Sequence, residues 1–518
     1  MKFRTLIGCA VALMYIALIH LLILFLSNSV ASLTYPFGID FGEGIVWQQA
    51  LLMFGPDAYG PINIFPSIVF HYPPVYHVTA LSLSALTGWD MLFTGRAISI
   101  SSTLLILLLI CLIVMRGSTP NTPLQFRLLA GIAAGLTALS FIPIYVWSPL
   151  MRVDMMALLL TLIGFWLGLK SYERPNFIYV ASLLFVAAVF TKQTTISAPV
   201  ATFALMIWLN PRLALKGIAT SIASGLLALG VLNYLTDGGF FKHIFFYNIN
   251  VFDLERLFMG SKIIAIHGLL LIIVFIVIRT GLSNMHSLFR NLKGADRRNR
   301  IATNQTAITF FSALLYLIVT TPLLLLFAKE GSAGNYFIEW FIASAILIGF
   351  GLLDSIYILL GMNYQLINLD LKIRALGVPL IIATYIFTLN FNIPSSYNLT
   401  SNSSNAEELK QLSSLVRESR KPVVSDDMVL ILRSGKRVVW ESAIFAQLEK
   451  TGAWNALDFE KRIRNSEFAM FITEGNPGEY LYDQRYTPLI SKAMDDSYPI
   501  KKIIAGYTIH LPGDSGLK

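Results

Sequence analysis

Apolar runs of about 20 residues recur along this chain, and a helix of that length crosses the hydrocarbon core of a bilayer. The first extends from Leu6 to Leu26, behind a short basic start that holds Lys2 and Arg4. Ten more fall near 97–115, 128–147, 155–170, 176–191, 194–209, 216–235, 263–279, 306–328, 337–360 and 375–391. The predicted fold is therefore an all-α polytopic membrane protein with about 11 transmembrane helices, occupying residues 1–393. Only 13% of residues are charged, about half the share in a soluble domain. The runs are continuous, whereas a membrane β-barrel is built from short alternating segments. A signal peptide is the rival reading of the first run. Asn28-Ser29-Val30-Ala31-Ser32 offers small residues for cleavage, but the apolar stretch is longer than a signal core.

Basic residues set the expected orientation. With Lys2 and Arg4 inside, sixteen Lys and Arg fall in inner loops and seven in outer loops before the tail. The same rule accounts for the net charge of +9 without a nucleic-acid partner. The apolar segment Val75–Leu86 is short of a full crossing, and counting it would invert every later loop. It is read as a helix in the outer leaflet. Cys9 and Cys111 both lie in apolar runs and offer neither a disulfide framework nor a metal-ligand spacing.

Beyond the last run, residues 394–410 form a polar linker rich in Ser and Asn. Asn398-Leu399-Thr400 and Asn402-Ser403-Ser404 match the glycosylation triplet there. Residues 411–518 have ordinary polarity and suggest a small extracytoplasmic α/β domain. Strands are expected at Val423-Val424, Arg437–Trp440 and Phe468–Thr473, and helices at Ala443–Lys450 and Phe459–Arg464.

The ionisable residues beside the outer helix ends gather on one side. The loop from Tyr35 to Tyr76 holds no Lys or Arg, carries Asp40 and Glu43, and closes on His71-Tyr72-Pro73-Pro74. Arg96, Arg152, Asp154 and Lys192 sit at later outer ends, with Asn335 and Tyr336 further on. Each has a plain alternative: acids at a helix start, an interfacial Arg, a capping ion pair, or interfacial histidines at His71 and His77. A charge at bilayer depth costs about 2.5–3.5 kcal/mol and faces a polar cavity, so their coincidence on one side points to a hydrated pocket. Cations there suit the phosphate of a lipid-linked substrate, and a carboxylate suits removal of a proton from an attacking hydroxyl.

Several pieces resemble the C-type glycosyltransferase superfamily, in particular the protein O-mannosyltransferases, the lipid A aminoarabinose transferases and related bacterial polyprenyl-phosphate-sugar transferases. They are Asp40-Phe41-Gly42-Glu43-Gly44, Tyr72-Pro73-Pro74-Val75-Tyr76, Gly95-Arg96, Arg152-Val153-Asp154, Phe190-Thr191-Lys192 and Gly334-Asn335-Tyr336-Phe337-Ile338-Glu339. The resemblance covers roughly residues 1–390. It implies sugar transfer from a polyprenyl-phosphate donor, with inversion, to a glycan, lipid or protein acceptor at the outer face of the cytoplasmic membrane. Asp40 would be the base, and Glu43 would assist it or hold the loop. Arg96, Arg152 and Lys192 would meet the lipid phosphate, and Asp154 would orient Arg152 or touch the sugar. His71 and Tyr72 complete the candidate substrate contacts. The resemblance makes no cofactor obligatory; Asp40, Glu43 and Asp154 are the residues that would hold a divalent cation. Two features depart from the pattern. The acidic pair is adjacent in the mannosyltransferases but three apart here, and Tyr72 stands where the aminoarabinose transferases carry Lys before the two prolines. The alternatives are a transporter or flippase of a lipid-linked glycan, whose polar sites lie near the midplane, and a scaffold acting through its tail.

Overall fold

The structure is a computed structural model that describes residues 2–119, 121–360, 369–389 and 403–513. The helices of the membrane part are α1 (Lys2–Thr34), α2 (Phe41–Leu52), α3 (Val75–Thr87), α4 (Met91–Gly117), α5 (Leu124–Ala138), α6 (Ile142–Trp147), α7 (Asp154–Lys170), α8 (Phe177–Val189), α9 (Ser197–Leu209) and α10 (Pro211–Leu235). They continue with the single turn α11 (Gly239–Phe241), α12 (Leu254–Ile266), α13 (Gly268–Phe289), α14 (Gly294–Ala302), α15 (Gln305–Leu323), α16 (Ile338–Leu360) and α17 (Leu369–Leu389). Among the described residues, seven helices are long and apolar enough to cross a membrane. Among the described residues every predicted span falls mainly on helix, but two are broken. The span at 128–147 stops at Ala138 and restarts at Ile142, with Pro143 in the first turn of α6, where its missing N–H costs nothing. The span at 263–279 divides at His267, between α12 and α13.

Helix α16 is the axis of the bundle and packs on α4, α5, α13, α15 and α17. Ile338, Phe341, Ile342, Ala343, Ile346 and Leu347 are all buried, as expected of a helix that is apolar all round. Helix α3 rises only ~20 Å over its 13 residues, short of the ~30 Å hydrocarbon layer.

The C-terminal region comprises α18 (Ser403–Glu418), β1 (Val423–Ser425), α19 (Met428–Arg433), α20 (Ser442–Lys450), α21 (Leu457–Arg464), β2 (Met470–Thr473), α22 (Tyr480–Arg485), α23 (Pro488–Ser497), β3 (Ile500–Ile504) and β4 (Tyr507–Leu511). The strands form one mixed sheet in the order β1-β2-β4-β3, with β1 and β2 parallel and the other pairs antiparallel. Residues 403–410 of the predicted linker are the start of α18, while 394–402, with the first glycosylation triplet and the Asn402 of the second, lie outside the described residues. The segment 437–440 forms no strand. It lies against the first loop instead, where the Ser67 N–H donates to the Val439 carbonyl at 3.0 Å. Two apolar clusters join this region to that loop: Ile62 and Val69 pack with Trp440 and Phe445, and Phe37 packs with Leu412, Met428 and Ile431.

The candidate active site

Asp40 is the N-cap of α2, with extended backbone and its Oδ2 accepting the Gly42 N–H at 2.9 Å. A carboxylate suits this place because the first amides of a helix lack intrahelical partners. The same oxygen accepts from Arg152 Nη1 at 3.0 Å. Gly42 makes room for that contact: a Cβ there would stand 1.0 Å from Nη1. Arg152 ends the irregular turn between α6 and α7 and reaches three groups. Beyond Asp40 it donates through Nη2 to the Tyr72 hydroxyl at 3.4 Å, and its Nε lies 4.0 Å from Asp154 Oδ2. Asp154 opens α7, and its Oδ1 accepts from Lys192 Nζ at 2.5 Å and Asn335 Nδ2 at 2.9 Å. Lys192 sits in the turn between α8 and α9 with Nζ 5.2 Å from the centre of the Tyr336 ring.

Asp40, Arg152, Asp154 and Lys192 thus make one continuous row of alternating charge, drawn from three separate stretches of chain. Asp40 is its more open end, with 22% of its side chain exposed against 1% for Asp154. Burial works against a charged Lys192, but the Asp154 carboxylate outweighs it and raises its affinity for a proton. Burial likewise opposes a charged Arg152, and the oxygens of Tyr72, Asp40 and Asp154 more than compensate. Burial pushes the Tyr72 hydroxyl above its ordinary range, so Tyr72 stays neutral. Four buried polar atoms in and beside the row have no hydrogen-bond partner among the described residues: Arg152 Nε, Asp154 Oδ2, Asn335 Oδ1 and Gln193 Oε1. Buried polar atoms are rarely left unpaired, and this group presents both a donor and acceptors to whatever enters.

Glu43 and Arg96 are placed differently. Both side chains are fully buried, and Arg96 lies inside α4 rather than at its head. Its Nε and Nη2 donate to the two Glu43 oxygens at 2.8 Å. The remaining N–H groups go to the carbonyls of Ser32, Tyr35 and Phe37 at 2.6–2.7 Å. Glu43 also accepts from the amides of Ile39 and Met151, each at 2.8 Å. All five guanidinium donors are therefore used, and none is left for a phosphate. Of the two roles that the resemblance allows Glu43, the geometry matches the one that holds the loop. Arg96 is its partner in that.

His71 donates through Nε2 to Glu441 Oε2 in the C-terminal region at 2.9 Å, while its carbonyl accepts from Gln193 and Asn248. His77 is fully buried, with Nδ1 3.2 Å from the Pro73 carbonyl, so it is no interfacial residue. The role of Glu339 was not anticipated, although the Gly334–Glu339 segment was singled out. Its carboxylate accepts from the Tyr316 hydroxyl at 3.1 Å and from the Ser197 hydroxyl at 3.5 Å. The three carboxylates named for a divalent cation do not fit one. Each is already engaged by Arg, Lys or backbone amides, and among the described residues no three His, Cys, Asp or Glu side chains are grouped to hold a metal.

No family model matches the sequence, and no curated protein is similar to it. Solved structures do match. The crystal structure of ArnT from Cupriavidus metallidurans bound to undecaprenyl phosphate superimposes with a TM-score of 0.56 at 13% identity, over 96% of this chain and 98% of that one. The chain has the ArnT fold. The apo structure of the same ArnT gives an equal TM-score over 95% and 97% of the two chains. Both the helical bundle and the C-terminal sheet region are included in that coverage. At 13% identity it is the ArnT fold that is shared, and the chemistry rests on the residues above.

Proposed function

We propose that this chain is a membrane glycosyltransferase that moves a sugar from a polyprenyl-phosphate donor to an acceptor hydroxyl at the outer face of the cytoplasmic membrane. The row Asp40–Arg152–Asp154–Lys192 is the observation that carries the reading. The capture of undecaprenyl phosphate by a protein of the same fold supports it. In the proposed reaction the acceptor oxygen attacks the anomeric carbon as the bond from that carbon to the phosphate oxygen breaks, which inverts the centre. Asp40 Oδ1, which makes no hydrogen bond among the described residues, takes the acceptor's proton. Arg152 and Lys192 offset the charge that develops on the departing lipid phosphate. Asp154 holds both cations in place, and Arg96 and Glu43 fix the loop that presents Asp40. The polyprenyl tail remains in the bilayer, where each buried methylene contributes about 0.8 kcal/mol.

Reconstitution in lipid nanodiscs with radiolabelled polyprenyl-phosphate sugars tests the reading. Asp40→Asn is expected to lower turnover by about 10²–10⁴-fold, the range for a lost general base. Lys192→Ala is expected to raise the donor KM. Wild-type turnover in both variants would remove the site assignment.

A further inference from the structure

A cavity of about 660 Å³ lies away from the charged row. It lies between residues 62–67 of the first loop and residues 453–467 of the C-terminal region, with Tyr247 beside them. Its volume falls within the roughly 300–1,000 Å³ of small-molecule sites.

Its chemistry is specific. Trp454 is half-buried, pinned edge-on by Phe445 with ring centres 4.7 Å apart, which leaves ring surface to line the cavity. Tyr247 is held in the same way by His243 at 5.0 Å. Beside these rings stand two amides with spare capacity. Asn63 is exposed and makes no hydrogen bond among the described residues. Asn455 spends only its Oδ1, on the Leu457 N–H at 2.9 Å. The four charged residues of the lining cancel: Arg462 meets Glu467 at 2.7 Å, and Lys461 meets Asp458 at 3.7 Å. A phosphate or polyanion would find no surplus cation, and an acyl chain would find too many polar walls. A neutral sugar has what the cavity complements: apolar C–H faces for the aromatic rings and neighbouring hydroxyls for the amides.

The cavity is also coupled to the row. The loop that carries Asn63 and Phe65 continues to His71 and Tyr72. Asn248, next to Tyr247, donates to the His71 carbonyl at 3.2 Å, and Tyr72 receives Arg152. We infer that this cavity binds a neutral oligosaccharide, the glycan part of the acceptor. The second half of that statement rests on the glycosyltransferase reading; the first does not.

Saturation-transfer NMR on the full chain in nanodiscs, with chitotriose and maltotriose as probes, tests it. Saturation is expected to reach the C–H protons of at least one trisaccharide. Trp454→Ala should weaken that binding by about tenfold. Asn63→Ala, at an exposed side chain outside the core, should weaken it with folding intact. No transfer to either sugar, equal binding in both variants, or displacement of the sugar by an unrelated peptide would overturn the proposal. Binding is read without turnover, so its failure leaves the donor reading standing. Saccharide binding that survives in a transfer-dead Asp40→Asn protein would separate the two.

Discussion

Asp40 and Glu43 are one helical turn apart, yet one meets an open-ended row and the other a closed clasp. Arg96 fills the clasp with a planar fork that reaches two carboxylate oxygens and three carbonyls. Lys brings three donors from a single point, so Arg96→Lys strands buried acceptors. The expected cost is about 3–5 kcal/mol, as for breaking a buried pair, read as a large drop in thermal unfolding temperature in detergent. Gly42→Ala should act on both stability and turnover. Alanine gains up to about 1 kcal/mol of helix propensity, but its Cβ takes the place of the Arg152 guanidinium, and pulling that group from Asp40 and Asp154 costs more than the helix gains. The unfolding temperature should fall, and turnover should drop by about 10²-fold, the scale of an ångström-level misplacement. Both acids and both arginines stand in plain view in the sequence. It did not say which acid meets which arginine, because that choice is made by where α4 and the turn before α7 bring their arginines to α2.

At the scale of elements, the contact between α2 and α19 joins the two halves of the protein. It is close: a Cβ on Gly44 would lie 2.5 Å from Met428 Cβ. Asp427 caps α19 through the Leu430 N–H at 3.1 Å. Burial raises its carboxyl to about 6, against relief from the Leu430 and Val429 amides, and the charges of Glu43 and Glu474 add to the rise. The folded-state value lies above the ordinary value of about 4. The folded state therefore holds the proton longer, and the stability this group contributes is complete below pH ~4 and is lost as pH rises towards 6. The loss is about 3 kcal/mol. Relative to Asp427→Asn, the wild-type chain should show protection of α19 from hydrogen exchange that falls across that window; parallel profiles for the two proteins would count against this account. Period and length made most helices legible, while the breaks at 139–141 and at His267 were not. Each lies within a continuous apolar run, and a run records apolarity but not where a neighbouring helix forces the chain to turn. Strands β3 and β4 were missed for a related reason: β3 carries Lys501 and Lys502 on an edge strand, where exposed charge is tolerated and hides the pattern.

At the scale of the whole molecule, composition separates the last 110 residues or so from the membrane part and is silent on docking. The apolar residues of the first loop that cover the C-terminal region, Phe37, Ile62 and Val69, read equally well as residues for lipid. Docking matters because α2 has only 12 residues, and helices of about that length are marginal on their own in water. Its stability comes from packing, against α3 and α4 on one side and α19 on the other. Arg433 fastens the edge of this contact, pairing with both Asp90 oxygens at 2.5–2.8 Å and lying over the Trp47 ring at 5.0 Å. Deleting residues 403–518 should therefore leave the long helices inserted and α2 unsupported. Amide exchange across Phe41–Leu52 should rise by orders of magnitude while exchange in α16 stays slow, and turnover should vanish although Asp40, Arg152, Asp154 and Lys192 are all still present. If α2 kept its protection and the truncated protein kept its turnover, the C-terminal region would be an independent appendage, and the charged row would be assembled by the bundle alone.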